Sequence, residues 1–118
     1  MRYMMLVYTK EDIGLSPDAL AQIASAHRAL MDETTKLGIL QGAEPLALTN
    51  TAKTIRTRNG ETMITDGPFA ETKEQLAGYY ILECKDIEEA IQWASKIPTE
   101  CGGAQGSIEI RPMRYQKV

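Results

Sequence analysis

The chain is poor in the groups that most often carry chemistry or crosslinks: 118 residues include one histidine, one phenylalanine and two cysteines. Cys84 and Cys101 form no CxxC pair, and two thiols in a chain able to bury a proper core argue for reduced cysteines and against a disulfide scaffold. One His, two distant Cys and scattered carboxylates match no metal-ligand spacing, so no metal site is expected. Gly102, Gly103 and Gly106 precede a strand-like run instead of leading from a strand into a helix, so they are not a dinucleotide loop and no cofactor is implied. No apolar run approaches the roughly 20 residues of a membrane helix. The apolar start, residues 3–8, is too short for a signal-peptide core and runs straight into Lys10, Glu11 and Asp12; it reads as the first strand of a cytoplasmic protein. Neither sign of charge dominates. A net charge of -3 and a pI near 5.2 supply no drive toward phosphate backbones or anionic lipid, so nucleic acid would need a local basic patch.

What is present is an ordinary globular composition, 43% hydrophobic and 25% charged, in a length that fits one domain over residues 1–118. Residues 3–8 are apolar at successive positions, as in a strand covered on both faces. Ser16, Pro17 and Asp18 supply an N-cap, a first-turn proline and a first-turn acid for a helix that runs to the Gly38 stop. Its apolar stripe is Leu20, Ile23, Ala24, Leu30, Met31 and Leu37, and His27 falls on it. Residues 39–48 give a strand interrupted by Gly42 and Pro45. Residues 53–58 and 61–65 flank Asn59-Gly60, a two-residue hairpin turn that pairs Arg58 with Glu61 and Ile55 with Ile64. Residues 76–84 form a further apolar strand, in which Gly78 marks a bulge or a close backbone approach. Asp86 caps a helix ended by Pro98, and residues 107–115 make a last strand that Pro112 confines to an edge. The order is that of an α+β, ferredoxin-like βαββαβ core with an extra hairpin. Right-handed crossovers put both helices on one face. The other face is still apolar, so a second copy of the sheet is the expected cover.

Residues 66–74, Asp-Gly-Pro-Phe-Ala-Glu-Thr-Lys-Glu, pack two turn-formers, the single Phe and a cluster of charges between two strands. Gly67 and Pro68 force a sharp turn, and Phe69 is expected to plug into apolar surface. This run, with Leu76-Ala77-Gly78-Tyr79-Tyr80 after it, resembles the signature of the DGPF (DGPFAETKE) family within the YCII-related superfamily. Gly38, the run from Gly42 to Leu46, and the run from Ile108 to Pro112 extend the resemblance over nearly the whole chain. The resemblance implies a ferredoxin-like unit that dimerises into a dimeric α+β barrel; it implies no particular reaction, because the family's activity is largely unassigned.

His27 is the one side chain whose ordinary pKa lies near neutrality. It reads either as a half-buried imidazole bonded to a carbonyl or as a general acid/base. In the YCII superfamily a His in the first helix, eleven residues before a Gly, pairs with an Asp just before a Pro near the end of the second helix. His27 and Gly38 keep that spacing, but Ile97 stands before Pro98, so the acidic partner must come from elsewhere, such as Asp66. Asp66, Glu71, Lys73 and Glu74 could form a polar cluster for proton abstraction or ligand binding, or a turn with a solvated rim. Arg56 and Arg111 could fork onto an anionic ligand or form ion pairs. Residues 77–82 loosely resemble the aromatic strand of RNA-recognition motifs, but the basic flank is missing. Two functions follow as expectations. One is a homodimeric protein that binds, and by acid/base chemistry transforms, a small polar or anionic molecule, with His27 and Asp66 catalytic and Arg56, Glu71, Lys73 and Arg111 holding the ligand. The other is a non-catalytic regulatory or interaction module linked to transcription, since relatives resembling this family occur beside sigma factors.

Overall fold

In the computed structural model of the chain, which describes residues 1–11, 13–99 and 105–116, a four-stranded antiparallel sheet carries two helices and a separate two-stranded arm. The elements are β1 (Arg2–Thr9), α1 (Pro17–Lys36), β2 (Leu40–Pro45), a single 3-10 turn (Thr49–Thr51), β3 (Lys53–Arg58), β4 (Glu61–Asp66), β5 (Gln75–Glu83), α2 (Ile87–Ala94) and β6 (Gly106–Pro112). Sheet order is β2-β5-β1-β6, the arrangement of a ferredoxin-like α+β fold, with β1 central and paired to both β5 and β6. Cys101, Gly102 and Gly103 lie outside the described residues. Among the described residues, no helix is long and apolar enough to cross a membrane.

Local chemistry accounts for the element ends. Ser16 accepts the Ala19 N–H at 3.1 Å and so satisfies one orphan donor of α1, while Pro17 opens the first turn, where its missing N–H costs nothing. Asp86 caps α2 in the same way through the Glu89 N–H at 2.9 Å. Pro112 ends β6, which pairs only with β1 and is therefore the sheet edge where a missing donor is tolerated.

Strand alternation then divides the sheet into two faces. Tyr3, Met5 and Val7 of β1 and Tyr80 and Leu82 of β5 point into one core with Leu30 of α1, Ala90 and Ala94 of α2, and Ile97 beyond it, so both helices lie on that face. Thr34, the one fully buried polar side chain among the described residues, returns its hydroxyl to the Leu30 carbonyl at 2.9 Å and is satisfied. On the opposite face Met4, Leu6, Tyr79 and Ile81 are only half-buried.

At Gly78 the backbones of β2 and β5 come close together. A Cβ there would stand 2.7 Å from the Glu44 carbonyl oxygen and 3.2 Å from Pro45 Cα, so only glycine lets the two backbones approach so nearly.

The arm, β3 and β4, turns at Asn59 and Gly60, both at positive φ, with Arg58 opposite Glu61 and Ile55 opposite Ile64. It packs extensively only on itself, and the radius of gyration, 16.1 Å, exceeds the roughly 13.5 Å of a compact chain of this length. Residues 67–69 are held to the arm by hydrogen bonds: Gly67 N–H to the Ala52 carbonyl at 2.8 Å, the Thr54 hydroxyl to the Gly67 carbonyl at 2.7 Å, and Arg56 to the Phe69 carbonyl at 3.2 Å. The expected burial of Phe69 is not found. Its ring is 78% exposed, because backbone bonds, not the ring, fix the loop, and the arm stands away from the apolar surface the ring would need.

Candidate functional site

The helix-bearing face of the sheet opens, between α1 and the adjoining ends of β1, β2 and β5, into a cleft of about 790 Å³, within the size range of small-molecule sites. One wall is the α1 stripe, where Leu20, Ile23, Ala24, His27 and Met31 recur at helical spacing; the other is formed by Ala43 and Pro45 of β2 and Ala77 to Tyr80 of β5. Leu20, on that stripe, is 54% exposed because it faces this opening. The close approach permitted by Gly78 sets the position of the β2 wall.

His27 Nδ1 lies 2.6 Å from the Tyr80 hydroxyl oxygen, and the two rings stack with their centroids 5.9 Å apart and an interplanar angle of 20°. Burial holds the His27 pKa below its ordinary value and pushes that of Tyr80 up to about 12. Both groups are therefore neutral near pH 7. Imidazole nitrogen is a far better acceptor than phenol oxygen, so the favoured bond runs from the Tyr80 O–H to Nδ1, which leaves the ring's own proton on Nε2. Nε2 has no protein partner among the described residues and is not sealed from the cleft.

The remaining expected site residues are not gathered around His27. Asp66 does not pair with it: the carboxylate is 84% exposed and forms an ion pair with Lys53, its cross-strand neighbour in the arm. Arg56 is spent on the Phe69 carbonyl. Arg111 is exposed on β6 opposite Met4, on the face away from the helices. Glu71 and Lys73 line a second, smaller hollow of about 480 Å³, which shares Lys10, Glu11 and Ile13 with the cleft. Glu11 fixes that shared segment by accepting the Thr49 N–H at 3.0 Å. Glu74 accepts the Ser107 hydroxyl at 2.7 Å and ties the loop to β6. Cys84 is buried, and burial raises its thiol pKa to about 11, so it is not a reactive thiolate. Among the described residues no group of three His, Cys, Asp or Glu side chains could hold a metal.

Residues 1–114 match the family described as YCII-related domain. The chain belongs to the YCII-related family. A protein of Rhizobium meliloti (strain 1021), itself described as uncharacterized, is 34% identical over 119 residues, which cover 99% of this chain and 95% of that protein. This YCII-related domain carries a histidine on its first helix with a tyrosine of β5 as neighbour. Tyr80 escaped the reading of the sequence, yet a signal was available: strand alternation puts Tyr80 on the same face as Leu82, and that face meets the α1 stripe holding His27.

Proposed function

We propose that this domain, a DGPF-type member of its family on the strength of residues 66–74, binds a small molecule in the cleft and exchanges a proton with it through His27. The observation that carries this reading is the 2.6 Å bond between His27 Nδ1 and Tyr80 at the wall of the cleft. With the Tyr80 O–H donated to Nδ1, neutral His27 meets the cleft through Nε2–H, the tautomer opposite to that set in a His–Asp pair; it can hydrogen-bond a carbonyl oxygen and pass its Nε2 proton to the enolate form of that group while Nδ1 takes the proton of the Tyr80 hydroxyl. Proton transfer at a carbonyl or enol needs no cofactor. Glu71 and Lys73, across the shared Lys10 and Glu11 segment, make the polar rim. A thermal-shift screen of carbonyl and enol compounds, repeated on His27→Leu, tests the reading. Compounds that stabilise the wild type and lose that effect in the variant support it; a screen in which no compound distinguishes the two proteins overturns it.

The uncovered face with Met4, Leu6, Tyr79 and Ile81 supports a homodimer closed sheet to sheet. Sedimentation equilibrium at micromolar concentration should give twice the 13.1 kDa chain mass; a clean monomer removes the barrel. The interaction-module reading draws its support from one observation, the exposure of Phe69 in the loop together with that of Ile55 and Ile64 on the arm. Retention of a transcription factor by the wild type and not by Phe69→Ala would favour it.

A further inference from the structure

We infer that the ligand of the cleft is an uncharged, largely hydrocarbon molecule that presents one acceptor oxygen, a ketone, ester or amide carbonyl, to the Nε2–H of His27. The inference rests on the proposed cleft function and narrows it. Two observations carry it independently of any titration. The first is the wall: Leu20, Ile23, Ala24, Met31, Ala43 and Pro45 offer a ligand no hydrogen bond from their side chains, so a ligand lying against them gains from hydrocarbon contact and is penalised for charge. The second is how the polar atoms at the wall are committed. The Tyr80 hydroxyl and His27 Nδ1 are used on one another at 2.6 Å. At His27 and Tyr80 the polar atom left for a ligand is Nε2, and with Nδ1 accepting from the phenol, Nε2 is a donor.

The charged groups along the cleft do not alter this. Lys10 and Arg28 are opposed by Glu11 and Glu44, two of each sign. Arg28 and Glu44 are exposed to water, and the Glu11 carboxylate is occupied by Thr49. A ligand carboxylate seated at His27 would face a neutral ring and the electron-rich face of Tyr80, with no buried cation to compensate its lost hydration. A carbonyl oxygen loses much less hydration and finds its donor. The apolar wall of the cleft thus disfavours charge, while the Nε2–H of His27 orients a ligand lying against it.

Three probes of nearly equal size separate the possibilities: acetophenone, benzoate and benzylammonium, each titrated at pH 7.5 against the whole chain with methyl and imidazole NMR signals observed. Acetophenone should shift the methyl signals of Ala24 and Met31 and bind at least tenfold more tightly than either ion, and the preference should disappear in His27→Leu. Benzoate or benzylammonium binding as tightly as acetophenone overturns the ligand class while leaving the cleft reading intact. If none of the three perturbs the cleft, the cleft reading fails and the class with it. Equal acetophenone binding by wild type and variant removes the donor role of Nε2. A readout independent of any substitution is the long-range proton–nitrogen spectrum of wild-type His27: it should show the proton on Nε2, with Tyr80→Phe moving it toward a tautomer mixture, and a wild-type ring protonated on Nδ1 overturns the proposal.

Discussion

The central sheet and the arm are both antiparallel, yet they are held by different physics. In β1 the alternate residues Tyr3, Met5 and Val7 and in β5 the alternate residues Gly78, Tyr80 and Leu82 are buried, and Met5 and Leu82 are wholly inaccessible to water. In β3 and β4 only Thr54 is even half-buried, and Ile55 and Ile64, opposite one another, are both about two-thirds exposed, at 65% and 67%. The sheet is stabilised by area removed from water. The arm is stabilised by turn geometry, ladder bonds and cross-strand pairs, each a small contribution. Apolar residues thus do two jobs here: in the sheet they complete a core within the chain, and on the arm they offer a surface that the chain itself does not cover.

Substitutions can break that contrast. The largest effect is expected in the core, where Leu82→Ala should cost about 2–5 kcal/mol in urea denaturation, whereas Ile64→Ala on the arm should stay within about 0.5 kcal/mol. Comparable losses at both positions would show that the arm is packed as the sheet is. Next comes Gly78→Ala, whose methyl group would press on the Glu44 carbonyl and should cost about 1–3 kcal/mol. Because Glu44, Pro45 and Gly78 all border the cleft, the same variant should also shift the His27 imidazole signals.

A smaller effect is expected with pH. Burial holds the His27 pKa below 6.5, so in that range the unfolded chain takes up the proton before the folded one does, and this contribution to stability rises with pH. It should be fully present above the unfolded value and decline as pH falls below 6.5 toward the folded value. Urea midpoints measured across that interval should slope for the wild type and flatten in His27→Leu; equal slopes would locate the effect elsewhere. The smallest expected change is Phe69→Ala, within about 0.5 kcal/mol for the isolated chain. A larger loss that grows with protein concentration would place a second copy over the ring.

The parts of this fold that were readable from sequence are those decided within a few residues. Ser16 with Pro17, Asn59 with Gly60, and Asp86 each fix a boundary through bonds to near neighbours. Gly78 was readable as a close approach because a strand interior has little other use for glycine. Burial of Phe69 was misjudged because it depends on where the arm stands relative to the rest of the chain, which no local signal specifies. The partner of Asp66 was missed by one step of register: continuing the Arg58 to Glu61 pairing down the hairpin brings Lys53 opposite Asp66. The contact between His27 and Tyr80 requires the sheet order as well as the helix face, since β5 reaches α1 only because the connection from β1 to β2 passes over it.

The central place of β1 also sets a timetable for the chain. Its ladder partners are β5 and β6, at residues 75–83 and 106–112, and its backbone pairs with no nearer strand. Contacts so distant in sequence are slow to close, because the intervening chain must first be gathered in, whereas the arm, joined by two residues, can zip locally within microseconds. On the ribosome the apolar run from Tyr3 to Tyr8 is made well before β5 and β6, so the nascent protein carries an unmatched strand edge until both have emerged. A chain cut before Gly106 would retain the cap of α1 and the arm, but one edge of β1 would have no β6 against which to close.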